Sequence, residues 1–182
     1  MLSILRLPDR LLHQRRHRAA CVRLSRMSRP RIILVVCSGN ICRSPYLEAV
    51  LRQALPDVKV ISAGFSTVGV PVPEFSLAAG AERGVDLSEH RSRQFLPPLA
   101  RDADLIIVMD PSQERYLARY GGVLQGKIIV AGDLDPEPMP TRAIADPFQQ
   151  SRAAFDETFD RLDRCAETLL RCMPHEHARA FG

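Results

Sequence analysis

At 182 residues, 46% apolar and 25% charged, the chain is long enough for one domain with a substantial core. It holds no apolar run near the roughly 20 residues that a bilayer-spanning helix needs. Its net charge of +4 is unevenly placed: residues 1–31 carry nine arginines against Asp9 alone, which leaves the remainder at −4, and a mildly acidic body argues against a broad nucleic-acid surface.

Residues 1–30 show neither a helical period nor strand alternation. The stretch is Arg-rich and lacks an apolar h-region, so it makes a poor secretory signal. Its composition suits an organellar targeting peptide or a basic arm for nucleic acid. The plainer reading is a disordered extension or a start codon placed too early, since Met27 opens a compact Met-Ser-Arg-Pro lead-in. Residues 31–173 are then expected to form the folded domain, with 174–182 as a C-terminal tail.

From Arg31 onward strand and helix signals alternate. Ile32–Val36 is a continuous aliphatic run, as in a parallel strand buried on both faces. After a short loop, Ser44-Pro45 reads as a cap followed by Pro at the first helical position. Leu47, Val50, Leu51, Ala54 and Leu55 share one helical face, and Pro56 stops it. Val58–Ile61 reads as a second strand, 64–73 as a loop, and 74–83 as a helix closed by Gly84. Leu105–Met109 is a third strand, followed by a helix opening at Asp110-Pro111 and closing near Gly121-Gly122. Lys127–Val130 is a fourth strand, and Asp133–Pro147 a long Pro-rich loop of the kind that often carries function. The last helix is expected to begin at Asp146-Pro147 and to bury Phe155, Phe159, Leu162, Ala166 and Leu169. The alternation predicts a single α/β domain: a doubly wound, four-stranded parallel sheet with helices on both faces. Ligands in such folds bind at the C-terminal strand ends, and the first such end is Cys37.

The segment Cys37-Ser38-Gly39-Asn40-Ile41-Cys42-Arg43-Ser44 joins that strand end to a helix start. Such a loop turns successive backbone N–H groups inward, and the helix N-terminus adds positive potential, together a cradle for a phosphate dianion. Gly39 permits close approach, and Asn40 tolerates a left-handed turn. Arg43 offers a planar fork to two phosphate oxygens. The same field favours the thiolate of Cys37, the nucleophilic form, and Ser44 is placed to donate to it. In-line attack on phosphorus needs a general acid for the leaving oxygen. Asp146 in the long loop is the candidate, with Asp133 and Asp135 as weaker ones. Each residue also has a plain structural reading: Cys37 as a buried cysteine, Arg43 as a surface arginine, Ser44 and Asp146 as helix caps. The concurrence of strand, Cys-x5-Arg-Ser and helix start favours chemistry for Cys37 and Arg43. The five cysteines, Cys21, Cys37, Cys42, Cys165 and Cys172, do not form a disulfide scaffold; a reducing, cytoplasmic compartment is expected. No second ligand pair completes a metal site with Cys37 and Cys42, no Walker lysine is present, and no metal or cofactor is expected.

These residues closely resemble the low-molecular-weight protein tyrosine phosphatases, over roughly Arg31 to Leu170. The resemblance rests on Val-Cys-x-Gly-Asn-Ile-Cys-Arg-Ser-Pro near one end and an Asp-Pro-aromatic loop near the other. It implies Cys37 as nucleophile, Arg43 as phosphate clamp, Asp146 as general acid, and Ser62 and His90 as braces for Asn40. Cys42 matches a vicinal cysteine able to trap the nucleophile in a reversible disulfide. Phe148 stands where relatives usually carry tyrosine; it is expected to line the phenyl pocket. The 62–75 segment resembles a bacterial branch that opposes tyrosine autokinases, which implies a phosphotyrosine-bearing protein, such as an autokinase, as partner. A monomer or weak homodimer is expected, with no nucleic-acid or membrane partner. Two alternatives share the fold. A thioredoxin-coupled arsenate reductase needs two relay cysteines, and none lies between Cys42 and Cys165. A protein arginine phosphatase usually carries threonine in place of Ile41.

Overall fold

The computed structural model describes residues 7–124 and 126–174. Four strands, β1 (Ile32–Cys37), β2 (Lys59–Gly64), β3 (Leu105–Val108) and β4 (Ile128–Val130), form one parallel sheet in the order β2-β1-β3-β4. Side chains along these strands point alternately to the two faces, and each face is covered by helices. Ile33, Val35, Leu105, Ile107 and Ile129 enter one core, closed by α2 (Arg43–Ala54), α3 (Glu74–Ala81) and α6 (Arg152–Cys172). Leu34, Val36, Ile106, Val108, Ile128 and Val130 enter the other, covered by α4 (Pro97–Asp102) and α5 (Pro111–Ala118). Burial on both faces explains why the strands read as unbroken aliphatic runs rather than as alternating ones. The architecture is the α/β, doubly wound, four-stranded parallel sheet expected from the sequence.

The strand order reverses between β1 and β3, so the loops leaving these strands diverge and open a crevice at their C-terminal ends. The last helix buries Phe155, Phe159, Leu162, Ala166 and Leu169 as its spacing predicts. Asp110 caps α5 as expected, its carboxylate accepting from the Ser112 amide at 2.6 Å.

The structure corrects three expectations. Residues Leu7–Arg26 are not a disordered extension but a 20-residue helix, α1. Its Leu, Arg and Ala content favours helix, yet only His13, Ala20 and Leu24 are buried, too sparse a stripe to read as a period. Leu24 is fully enclosed. His13 Nε2 donates to the Asp135 carbonyl at 2.8 Å, His17 Nδ1 lies 3.2 Å from that of Asp133, and the Arg23 guanidinium donates to that of Ile128. Of the expected tail 174–182, residues 175–182 lie outside the described residues. Ser44 is not a cap: α2 begins one residue earlier, at Arg43, and the Ser44 hydroxyl turns to Cys37 instead. The last helix begins at Arg152, not at Asp146-Pro147. There the Asp146 carboxylate accepts from the Phe148 amide at 3.2 Å and Gln149 turns left-handed at φ 61°, a local turn that competes with helical winding. The short helix α4 had no legible period.

Candidate active site

β1 ends at Cys37, which is 2% exposed, and the chain then curls into the loop that precedes α2. Two groups converge on the Cys37 sulfur: the backbone N–H of Asn40, which donates to it at 3.1 Å, and the hydroxyl of Ser44, hydrogen-bonded to it at 3.0 Å. Asn40, at φ 54°, takes the left-handed conformation expected of it. Its buried side chain holds the loop closed: Nδ2 donates to Ser44 Oγ at 2.9 Å and to Ser62 Oγ at 2.7 Å, while Oδ1 accepts from the Arg93 amide at 2.7 Å. His90 Nε2 donates to the Asn40 carbonyl at 2.9 Å, which fixes the tautomer with the proton on that nitrogen. The Ser62 hydroxyl donates in turn to the Glu48 carboxylate. The loop is therefore braced on three sides before any ligand is considered.

Gly39 needs no special backbone conformation, and an added Cβ would meet only side chains, the flexible Ile41 at 3.3 Å and Ser66 Oγ at 3.9 Å. The glycine that matters is Gly64, at the end of β2. A Cβ there would come within 2.8 Å of backbone atoms of Ser38 and Gly39 and within 2.7 Å of Asn40 N. The Phe65 and Ser66 amides donate to Ser38 O at 2.7 and 3.1 Å, and Thr67 Oγ1 donates to Gly39 O. A glycine at a strand end is a legible sign of close backbone approach, one passed over in favour of the glycine inside the motif. Gln113, also unforeseen, accepts from Met109 N at 2.9 Å and points Nε2 at Ser38 Oγ, 3.4 Å away.

Arg43 is 5% exposed. Its Nη1 donates to Ile144 O at 3.0 Å and its Nη2 to the Asp146 carboxylate, while Nε is buried without any partner in the protein. A buried guanidinium donor left unsatisfied is costly, so Arg43 Nε is a donor available to a ligand oxygen. Asp146 lies in the loop after β4, its side chain 45% exposed, facing the same cavity as Cys37. That cavity, about 280 Å³, is lined by Cys37, Ile41, Cys42, Asp146, Phe148 and the 66–73 segment. Its polar floor and apolar walls suit a phosphate carried on a ring. The Cys42 thiol is pushed up to about 12, chiefly by burial and further by the nearby Asp146 and Cys37. It therefore stays protonated beside the nucleophile. Asp133 and Asp135, the weaker acid candidates, lie elsewhere: Asp133 pairs with Arg142, and Asp135 is fully buried between Arg161 and Arg164. Cys165 is buried on α6, away from this cavity.

Among the described residues no cluster of His, Cys, Asp or Glu stands close enough to hold a metal ion, and no helix is long and apolar enough to cross a membrane.

Comparison with known proteins places this geometry. The low molecular weight phosphotyrosine protein phosphatase family matches residues 32–179. The probable low molecular weight protein-tyrosine-phosphatase EpsP of Ralstonia nicotianae is 40% identical over 133 residues, covering 72% of this chain and 88% of that protein. The crystal structure of the Erwinia amylovora tyrosine phosphatase AmsI superposes with a TM-score of 0.75 at 34% identity, over 82% of this chain and 97% of that one. The YwlE arginine phosphatase of Geobacillus stearothermophilus superposes with a TM-score of 0.69 at 27% identity, over 78% of this chain and 92% of that one. By sequence, by fold and by the loop that ends β1, the chain belongs to the low molecular weight phosphotyrosine protein phosphatase family.

Proposed function

We propose that the protein hydrolyses phosphotyrosine in two steps through a phosphocysteine intermediate. The observation that carries this reading is the convergence on one cavity of the Cys37 sulfur with its two hydrogen-bond partners, the unsatisfied Nε of Arg43, and the Asp146 carboxylate. In the first step the thiolate of Cys37 attacks phosphorus in line. The bond to the tyrosyl oxygen breaks, and Asp146 gives that oxygen its proton. The loop amides and Arg43 hold the equatorial oxygens as charge shifts among them. In the second step Asp146 takes a proton from water, the oxygen attacks phosphorus, and the P–S bond breaks to return phosphate and thiolate. Ser38, Gly39, Asn40, Ile41, Cys42 and Ser44 shape the cradle, and Phe148, 44% exposed at the cavity rim, packs against the substrate ring. Ser62 and His90 act through Asn40.

The physiological substrate is a phosphotyrosine-bearing protein in the cytoplasm, with a tyrosine autokinase as the natural candidate from the branch that the 62–75 segment resembles. A second reading, a protein arginine phosphatase, draws on the likeness to YwlE. Two observations favour tyrosine: Ile41 lines the cavity, and EpsP and AmsI are more similar in sequence than YwlE. Phosphate release from phosphotyrosine, phosphoserine and phosphoarginine peptides in EDTA, with Cys37→Ser alongside, tests the proposal. Chelator-resistant turnover of phosphotyrosine that Cys37→Ser abolishes is expected. Preference for phosphoarginine would overturn the substrate assignment and keep the nucleophile; full activity in Cys37→Ser would sink the mechanism.

A further inference from the structure

The loop that carries Asp146 has no regular structure of its own, so its backbone groups must find partners elsewhere. Two of its carbonyls find theirs in one buried arginine. Arg161, on α6 and 6% exposed, donates from Nη1 to Ala143 O at 2.7 Å and from Nη2 to Thr141 O at 2.9 Å. One helical turn earlier, Thr158 Oγ1 reaches Ala145 O at 3.4 Å. From the sheet side, Met109 O accepts from Ile144 N at 2.8 Å, and Ile144 O accepts from Arg43. The carbonyls of Thr141, Ala143, Ile144 and Ala145 are thus all held.

The fork of Arg161 is itself aimed by Asp135. Arg161 Nε donates to Asp135 Oδ2 at 2.9 Å. Asp135 is wholly enclosed, and its carboxylate also accepts from Arg164 at 3.0 Å and from the Glu137 amide at 3.1 Å. His13 of α1 donates to the Asp135 carbonyl at 2.8 Å. A side chain at Gly132 would run into Arg142 O and the Arg161 guanidinium, so the loop, the arginine and the chain after β4 are packed without slack. A buried ion pair stabilises a fold no better than well-packed apolar side chains. The value of this one lies in what its planar fork fixes, a task a lysine could not perform.

We propose that Arg161, oriented by Asp135, is a positioning residue for proton transfer: it holds the Thr141–Ala145 backbone so that the Asp146 carboxylate faces the leaving oxygen above Cys37. The pair touches neither substrate nor nucleophile and acts only through the loop. This inference rests on Asp146 being the general acid. A displacement of about 1 Å at a catalytic group can cost on the order of a hundredfold in rate, so loosening two carbonyls three and five residues upstream is enough to matter.

The test compares kcat/KM for p-nitrophenyl phosphate, whose leaving group departs without a proton, with that for phenyl phosphate and a phosphotyrosine peptide, whose leaving groups need one. It uses the full chain, Arg161→Gln and Asp146→Ala, with inhibition by inorganic phosphate and thermal melting measured for each. Arg161→Gln is expected to slow the poor leaving groups at least about tenfold more than p-nitrophenyl phosphate, with phosphate inhibition unchanged within about twofold, a weaker copy of Asp146→Ala. A merely structural arginine would depress both substrate classes and phosphate binding together, and that result would overturn the inference. Steepening in Asp146→Ala but not in Arg161→Gln would overturn this inference alone; no steepening in either would overturn the acid assignment and this inference with it. If Arg161→Gln does not fold, Arg161→Lys, which keeps the charge beside Asp135 but gives up the fork, takes its place and the same comparison decides.

Discussion

A Cβ placed on Gly64 would stand 2.7 Å from the backbone nitrogen of Asn40, the same N–H that donates to the sulfur of Cys37. The end of β2 is therefore the floor on which the phosphate loop lies, and the loop cannot rise without pulling a donor off the nucleophile. Gly64→Ala is expected to lower stability by about 1–3 kcal/mol, the usual cost of overpacking, and to lower kcat/KM by at least about tenfold. Gly39→Ala, which would meet only the side chains of Ile41 and Ser66, is expected to change stability by less than about 1 kcal/mol. Melting temperatures and kinetics of the two variants measured together check the contrast.

Asn40 combines two tasks that mutation can separate. Its left-handed backbone directs its N–H at Cys37, and its side chain ties Ser44, Ser62 and Arg93 together. Asn40→Ala loses both the buried hydrogen bonds and the tolerance for positive φ, and about 2–3 kcal/mol of stability should go with them. Asn40→Gly keeps the backbone conformation and loses only the bonds. If the side-chain network carries the site, the two variants lose kcat/KM to the same extent, by about ten- to a hundredfold; recovery in the glycine variant would assign the role to the backbone.

Cys42 lines the same cavity as Cys37. Burial first, then the charge of Asp146 and Cys37, raises its thiol from 9.0 to about 12. Iodoacetamide near pH 7 should therefore spare Cys42, which mass spectrometry of the digested protein reads directly. The sign of the linkage follows: the folded state holds the Cys42 proton more tightly than the unfolded chain does. That stability is complete below about pH 9 and is lost as pH rises toward about 12. Cys42→Ala should flatten the fall of melting temperature in that alkaline window and leave it unchanged near pH 7.

The docking of α1 predicts a contrast along one helix. Leu24 is fully buried and Leu11 is 53% exposed. Leu24→Ala is expected to destabilise by about 2–5 kcal/mol, and Leu11→Ala by less than about 0.5 kcal/mol. Urea unfolding of both variants measures it. Equal, negligible effects would mean that α1 does not pack on the domain in solution.

The sequence by itself determined the four strands and the parallel sheet, and it brought Cys37, Asn40, Arg43 and Asp146 forward as candidates, because each left a local mark. Continuous aliphatic runs require burial on both sheet faces, and a Cys-x5-Arg segment between a strand and a helix start confines the chemistry to one loop. Ser62 and His90 were legible only through the family resemblance. Tertiary structure alone decided the rest. Arg93 meets Asn40 across 53 residues of chain, and no local pattern records an approach of that kind; Gly64 left only its place at a strand end as a sign. The tie from Arg161 to Thr141 and Ala143 depends on how α6 lies against the loop after β4. The helix α1 was invisible for a related reason: two anchors, Ala20 and Leu24, are enough to dock a helix against a core already built, but too few to write a period into the sequence. Local propensity and spacing encode what a segment does with its neighbours in the chain; what it does with distant partners is fixed only when packing brings their backbones to within a hydrogen bond of each other.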